Sequence, residues 1–221
     1  WSRALGWASR ENELISLGPG VEPFSITASN IDLATVMAND GVVMPGYPLF
    51  GRWARPVLGY SDVNGDGIIT ANEVKLGNTL EYIGPSQPKA DAFIRPEVTF
   101  WQGRIRIASD FEYVHGITQV NSYASSMRFF SASAFDPNTP LRAQACIAAA
   151  SSPINNEYCF YETVNVLRLR NLSIGFTAPQ SVARFFRAQA ASFHILGSNL
   201  GVWSSYDGVD PMANTAEAAG N

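Results

Sequence analysis

Twelve consecutive residues, Asp62 to Glu73, carry oxygen donors at the spacing that a calcium ion requires. Asp62, Asn64 and Asp66 hold the first, third and fifth positions of this loop. Gly67 is sixth, where the chain must turn sharply, Ile68 is seventh and offers a backbone carbonyl, Thr70 is ninth and Glu73 is twelfth. Ca²⁺ takes about six to eight hard oxygen ligands from a chain that wraps round it, the last carboxylate chelating with both oxygens. The pattern is that of an EF-hand-type loop, with every position filled. Its flanks are not: Gly59-Tyr60 precedes it and Lys75-Leu76-Gly77 follows, with no long amphipathic helix on either side. The expectation is a structural calcium clip in an exposed loop over 62–73, of the weak extracellular kind that binds at roughly 10⁻⁴–10⁻³ M, rather than a sensor. An Asn-Gly-Asp-Gly turn without an ion is the alternative.

Other reactive side chains form no constellation. The chain has two cysteines, Cys146 and Cys159, in a Ser/Pro/Asn-rich stretch, and two histidines, His115 and His194. Zinc is excluded by the absence of a CxxC or a nearby His pair. A disulfide closing an exposed loop is the favoured reading of the cysteines, with two separate buried thiols as the alternative. No glycine-rich phosphate loop or nucleophile elbow occurs, and no active site is expected: the chain reads as a non-enzyme.

The elements that must position these residues are strands. Charged residues are 15% of the chain, below the ~25% usual for soluble domains, while apolar residues are 46% and aromatics 12%. Such a chain is not disordered. A net charge of −4 with only two lysines, Lys75 and Lys89, offers no nucleic-acid stripe. No apolar run is long enough for a transmembrane helix, a test to which membrane strands are blind. The clearest strand is 104–114. Ile105, Ile107, Phe111 and Tyr113 share one parity and Arg104, Arg106, Asp110 and Glu112 the other, so the strand has one apolar and one charged face. It is either a half-exposed strand of a soluble antiparallel sheet or a membrane strand with its charges toward a barrel lumen. A second strand is expected over 162–178. There Leu167 and Leu169 alternate with Arg168 and Arg170, but Leu172, Ile174 and Phe176 fall on the arginine parity. Either a bulge near Asn171 shifts the register and restores one apolar face, or the segment passes from a protein-covered zone to a lipid-facing one; the bulge is the favoured reading. Further strands are expected at 192–203, 91–100 and 4–17, a tight turn at Trp101-Gln102-Gly103, a short helical turn near Gln180 to Phe186, and a long loop from Ser122 to Glu162. Trp53 and Tyr60 either stack on sugar rings or pack their loop.

Several phrases then resemble one family. Gly46-Tyr47-Pro48-Leu49-Phe50-Gly51 precedes Trp53, and Leu58-Gly59-Tyr60 leads into the acidic loop. Asn165-Val166-Leu167-Arg168-Leu169-Arg170-Asn171 runs on to Gly175 and Pro179. Gly197-Ser198-Asn199-Leu200 and Tyr206-Asp207-Gly208-Val209-Asp210-Pro211 follow, and Trp7 to Leu17, with Asn12, comes before them all. In order and spacing these resemble the C-terminal part of SusC/RagA-type TonB-dependent outer-membrane receptors. The resemblance implies an all-β chain: a partial antiparallel transmembrane barrel over 1–221, contributing about six to eight strands to a barrel of about 22, with the loop 62–73 embedded in it. It implies import of oligosaccharides or peptides across the bacterial outer membrane, a SusD-like surface lipoprotein as partner, and drive from the TonB complex through an N-terminal part that this sequence lacks. The chain reads as a fragment. A secreted calcium-binding β-sandwich that adheres to carbohydrate is the first rival, and a dockerin-like module the second.

Overall fold

A computed structural model describes residues 1–26, 38–39, 41–121, 124, 136–151, 155–206 and 211. The described residues include twelve strands. The first eight are short apart from β1: β1 (Ser2–Ser9), β2 (Phe24–Ser25), β3 (Ala38–Asn39), β4 (Val42–Val43), β5 (Gly51–Ala54), β6 (Val57–Tyr60), β7 (Val74–Leu76) and β8 (Glu81–Pro85). The last four are long: β9 (Ala90–Phe100), β10 (Ile105–Val120), β11 (Tyr161–Thr177) and β12 (Ser192–Ser204). Helix α1 covers Leu141–Ala150 and helix α2 covers Gln180–Phe185.

The chain divides into two compact units, which the expectation of one domain over 1–221 does not separate. Trp1–Ser9, Ala90–His115 and Asn165–Ser205 form the first unit. Its core is a sheet of order β1-β9-β10-β11-β12, antiparallel in β1–β9, β9–β10 and β11–β12. Connections alternate in length. β9 and β10 are joined by the four residues 101–104, where Trp101, Gln102 and Gly103 all take positive φ. β11 and β12 are joined by 178–191, whereas β1 reaches β9 through 10–89 and β10 reaches β11 through 121–160. Short turns therefore leave one end of the sheet and long excursions the other.

Arg10–Lys89, Gly116–Val164 and Tyr206–Asn221 form the second unit. Its small sheets pair β2 with β4, β3-β5-β8, and β6 with β7. Trp53 is buried at their centre, its ring 4.7 Å from Tyr47 and 5.4 Å from Tyr82. A side chain at Gly51 would meet the Tyr82 ring at 2.6 Å, so only glycine lets this strand approach. Trp53 thus packs its loop, while Tyr60 stays 41% exposed.

Two expectations are corrected here. The strand beginning near residue 4 stops at Ser9 instead of reaching Leu17, because the chain beyond it turns to other partners. The Leu14 N–H donates to the Tyr47 carbonyl at 3.0 Å, and Asn12 Oδ1 accepts from the Leu49 N–H at 3.0 Å. The stretch 122–162 is not wholly a loop, since α1 occupies ten of its residues. Pro140 ahead of an alanine-rich run was the available signal, proline being favoured at helix starts and alanine the best helix former.

Candidate functional site

The first unit presents two chemically opposite faces. Register places Leu5 opposite Ile94, Ile107 opposite Val98, Phe111 opposite Ile94, Leu167 opposite Trp203 and Ile174 opposite Ile195. Most of these side chains stand open, from 39% exposed at Leu167 to 71% at Leu5. Each large apolar side chain left in water forgoes about 1.5–3 kcal/mol of burial. A row of them on one face is a surface built to be covered by something apolar.

Charge occupies the other face. Arg95 pairs with Asp110 at 3.0 Å, Arg106 with Glu97 at 2.6 Å and Arg170 with Glu112 at 3.0 Å. These pairs are partly solvated, and each contributes at most about 1 kcal/mol. Asp110, Glu112 and Arg106 therefore lie together in a cross-strand ladder. Arg104 sits in the turn before β10, its guanidinium 5.7 Å above the Trp101 ring. His115 stacks on Tyr113 and lies at the surface.

The register shift near Asn171 is what keeps β11 two-faced. Leu169 lies opposite Gly201 but Asn171 opposite Ser198, so β12 carries one residue more than β11 across this step. Asn199, within the step, takes φ 54°, a left-handed conformation that asparagine tolerates better than most residues. Before the shift Arg170 reaches Glu112; beyond it, a Cβ at Gly175 would lie 3.9 Å from the Arg106 Cβ. Even positions before the shift and odd positions after it thus share the charged face. Leu167, Leu169, Leu172, Ile174 and Phe176 are left on the apolar one. Ser198 and Asn171 hydrogen-bond across the step at 3.1 Å, which joins two of the phrases that carry the family resemblance.

In the second unit the acidic loop is wound upon itself. Asp62 Oδ1 accepts from the Gly65 N–H at 2.8 Å and Asp62 Oδ2 from the Gly67 N–H at 2.9 Å. Asn64 Oδ1 accepts from the Asp66 N–H at 3.1 Å, and Asp66 Oδ1 from the Ile68 N–H at 2.8 Å. Gly67 turns the chain at φ 79°. Glu73 closes the loop: Oε1 accepts from the Val63 N–H and Oε2 from the Thr70 N–H, both at 2.9 Å. The Thr70 N–H, then the Thr70 hydroxyl and the Val63 N–H, hold the Glu73 carboxyl below its ordinary pKa. The donor types and the winding suit a hard cation. In this arrangement, though, the carboxylates are turned to amides, and the described residues include no cluster of three or more His, Cys, Asp or Glu placed to hold a metal.

Sequence reasoning missed Gln144, the residue that holds this loop to the rest of its unit. From α1, buried Gln144 accepts from the Ile69 N–H at 2.7 Å and donates to the carbonyls of Gly67 at 3.1 Å and Thr139 at 2.8 Å. Cys146, half a turn further along α1, is bonded to Cys159, with the Cα atoms 5.7 Å apart. Asn156, also buried, donates to the Arg55 carbonyl at 2.8 Å. The same unit has a cavity of about 440 Å³ whose lining includes Arg10, Glu11, Tyr82, Gln87 and Lys89, charges of both signs beside an aromatic ring. Burial raises the pKa of Tyr82. Of the closing phrase 206–211, residues 207–210 lie outside the described residues.

Five antiparallel strands with one apolar and one ion-paired face, open at β1 and β12, make this a section of a β-barrel wall. Solved structures share this fold. The fold matches a chain in the structure of the RagAB peptide transporter at TM-score 0.63, with 15% identity over 96% of this chain. It matches a chain in the RagAB peptide importer in its "open-open" state at TM-score 0.62, with 16% identity over the same share. The chain spans 24% of each of those chains. No protein-family model and no curated protein matches the sequence.

Proposed function

We propose that this chain forms part of the wall and outer loops of a SusC/RagA-type TonB-dependent receptor that imports nutrients across a bacterial outer membrane. The observation that carries the reading is the one-sided sheet: an open apolar face toward lipid, and a ladder of Arg95, Asp110, Arg106, Glu97, Glu112 and Arg170 toward a watery lumen. The four long strands, of 11 to 17 residues, reach or exceed the roughly 9–11 needed to cross a bilayer obliquely, while β1 has eight. Short turns at one end and long excursions at the other follow the habit of outer-membrane barrels, whose long loops are extracellular. A secreted β-sandwich would cover its apolar face with a second sheet, and Leu5, Trp7, Ile94 and Phe193 are too exposed for that.

The cargo is an oligosaccharide or a peptide. The relatives of matching fold carry peptide in their names, and the cavity beside Arg10, Glu11 and Lys89 suits a ligand with both charges. A SusD-like lipoprotein on the outer side and the TonB complex within complete the machine, and this chain has no catalytic role. Asp62, Asn64, Asp66, Ile68, Thr70 and Glu73 would hold a structural Ca²⁺, which would fix the loop on the outer surface. Fractionation of the source cells, together with uptake of labelled oligosaccharides and peptides with and without the protein, tests the reading. Recovery in the outer membrane, with loss of uptake of one cargo class on deletion, is expected. Recovery as a secreted, detergent-independent monomer overturns it.

A further inference from the structure

The short-turn end of the sheet differs in chemistry from the rest of the first unit. Trp101 is 56% exposed in the β9–β10 turn and stacks with Phe176 at 6.0 Å. The Thr177 N–H donates to the Arg104 carbonyl at 2.8 Å, which brings the two short turns side by side. The second of these turns contains α2, from which Phe185 projects at 82% exposure and Phe186 at 70%. Their rings meet edge to face at 5.2 Å rather than turning inward. Arg184 and Arg187 flank them, both exposed and neither in an ion pair with a described residue. At the sheet's edge Arg3 lies 5.2 Å over the Trp1 ring, near the same end, because Ser2 is opposite Glu97.

Carboxylates are missing from this end. Neither 98–104 nor 174–197 contains Asp or Glu, and the nearest, Glu97, is engaged by Arg106. Four arginines, Arg3, Arg104, Arg184 and Arg187, therefore stand among exposed aromatic rings with no ion-pair partner among the described residues. In a water-soluble protein two bare phenylalanines on a short turn would be a liability. In a headgroup layer, aromatic rings occupy the interface and guanidinium groups bind phosphate.

We propose that this end is a lipid-recognition surface, in which Arg104, Arg184 and Arg187 bind the phosphates of an anionic glycerophospholipid leaflet while Phe185, Phe186 and Trp101 sink below the headgroups. The inference rests on the membrane reading of the sheet and goes beyond it. It names the lipid chemistry and assigns the short-turn end to the phospholipid leaflet. Basic side chains near an anionic surface act additively and are screened by salt.

The test is flotation of the detergent-solubilised chain with preformed vesicles of phosphatidylcholine alone, or of phosphatidylcholine mixed with phosphatidylglycerol, at low and high salt. The wild-type chain should float with both and prefer the anionic vesicles by roughly tenfold or more, a preference that salt weakens. Arg104→Gln with Arg184→Gln and Arg187→Gln should abolish the preference but not flotation, and lysine at the same three positions should restore most of it. Phe185→Ser with Phe186→Ser should weaken flotation with both compositions alike. Equal flotation of the wild-type chain with both vesicles, or an unchanged preference in the glutamine variant, overturns the proposal while leaving the membrane-facing sheet intact. Flotation with neither vesicle overturns the membrane reading itself, and this inference with it.

Discussion

In the first unit Ile94, Leu196 and Trp203 are about half exposed or more, and the polar side chains are satisfied by partly solvated pairs such as Arg95–Asp110. In the second unit Val42, Trp53 and Val164 are buried, and the polar groups that join the segments, Gln144 and Asn156, are buried as well. One region has hydrogen-bonded strands but an uncovered apolar face. The other has little regular structure and a packed interior with buried cross-links. The difference teaches where each unit finds its solvent. A sheet whose apolar side chains outnumber its own means of burial needs an apolar surrounding, whereas loops that stand in water must bury their own rings and staple themselves.

The largest expected effect tests that division directly. Ile94→Arg places a charge on the apolar face, at a cost of about 2–4 kcal/mol at mid-bilayer depth. Arg95→Ala, one residue along and on the other face, removes only a half-exposed pair worth at most about 1 kcal/mol. Urea titration of the chain refolded into phosphatidylcholine vesicles should separate the two clearly. Equal losses would mean that the two faces are not in different solvents.

Next in size is the disulfide. Replacing Cys146 and Cys159 by serine opens a loop of 13 residues, and loops of about this length are worth roughly 3 kcal/mol through unfolded-state entropy. The loss should fall on the second unit alone. Hydrogen exchange should quicken in α1 and in residues 62–73, while β9 and β10 keep their protection; uniform quickening would show that the two units unfold as one. Gln144→Ala comes third. It leaves the Ile69 N–H and the Gly67 and Thr139 carbonyls unpaired in a buried place, at about 1–3 kcal/mol for each group that stays dry. Faster exchange at Ile69 with an intact disulfide is expected, and an unchanged rate would mean that water replaces the side chain.

The sheet was legible in the sequence because its physics is local. Parity separates Ile105 and Ile107 from Arg104 and Arg106 within a few residues, and the break in parity between Leu169 and Leu172 identified the shift before any partner strand was known. The turns at 101–103 and 180–185 announce themselves by Gly103 and Pro179. What holds the second unit together was not legible. Gln144 bonds residues 75 and 77 positions away, and Asn156 bonds one 101 positions away. No spacing rule connects them. Helix α1, at ten residues, is too short to be stable alone. It is fixed by tertiary contacts that the sequence does not display. The loop 62–73 lies between these cases: its winding follows from residue types, while the ion it would hold does not.

The smallest expected effect concerns that loop. Hydrogen bonds from the Thr70 and Val63 amides favour ionised Glu73, and its pKa in the folded chain is lowered. Folding therefore favours the ionised form. The contribution is fully present above the pKa of an unfolded glutamate and is lost as the pH falls through the lower folded value. Because Glu73 is exposed, water and salt blunt this, and the effect should be confined to the loop. Between neutral pH and the acid range the Val63 and Thr70 amide resonances should move together, and they should not follow Glu73 titration in Glu73→Gln. Adding Ca²⁺ at neutral pH should shift the amides of 62–73 in the wild-type chain, and far less in the variant, which lacks the chelating carboxylate. The response should stop at Gln144 and leave the strands of the first unit unmoved. If Ca²⁺ changes nothing in 62–73, the loop is a self-satisfied turn, and the second unit is stapled by its disulfide and its buried amides alone.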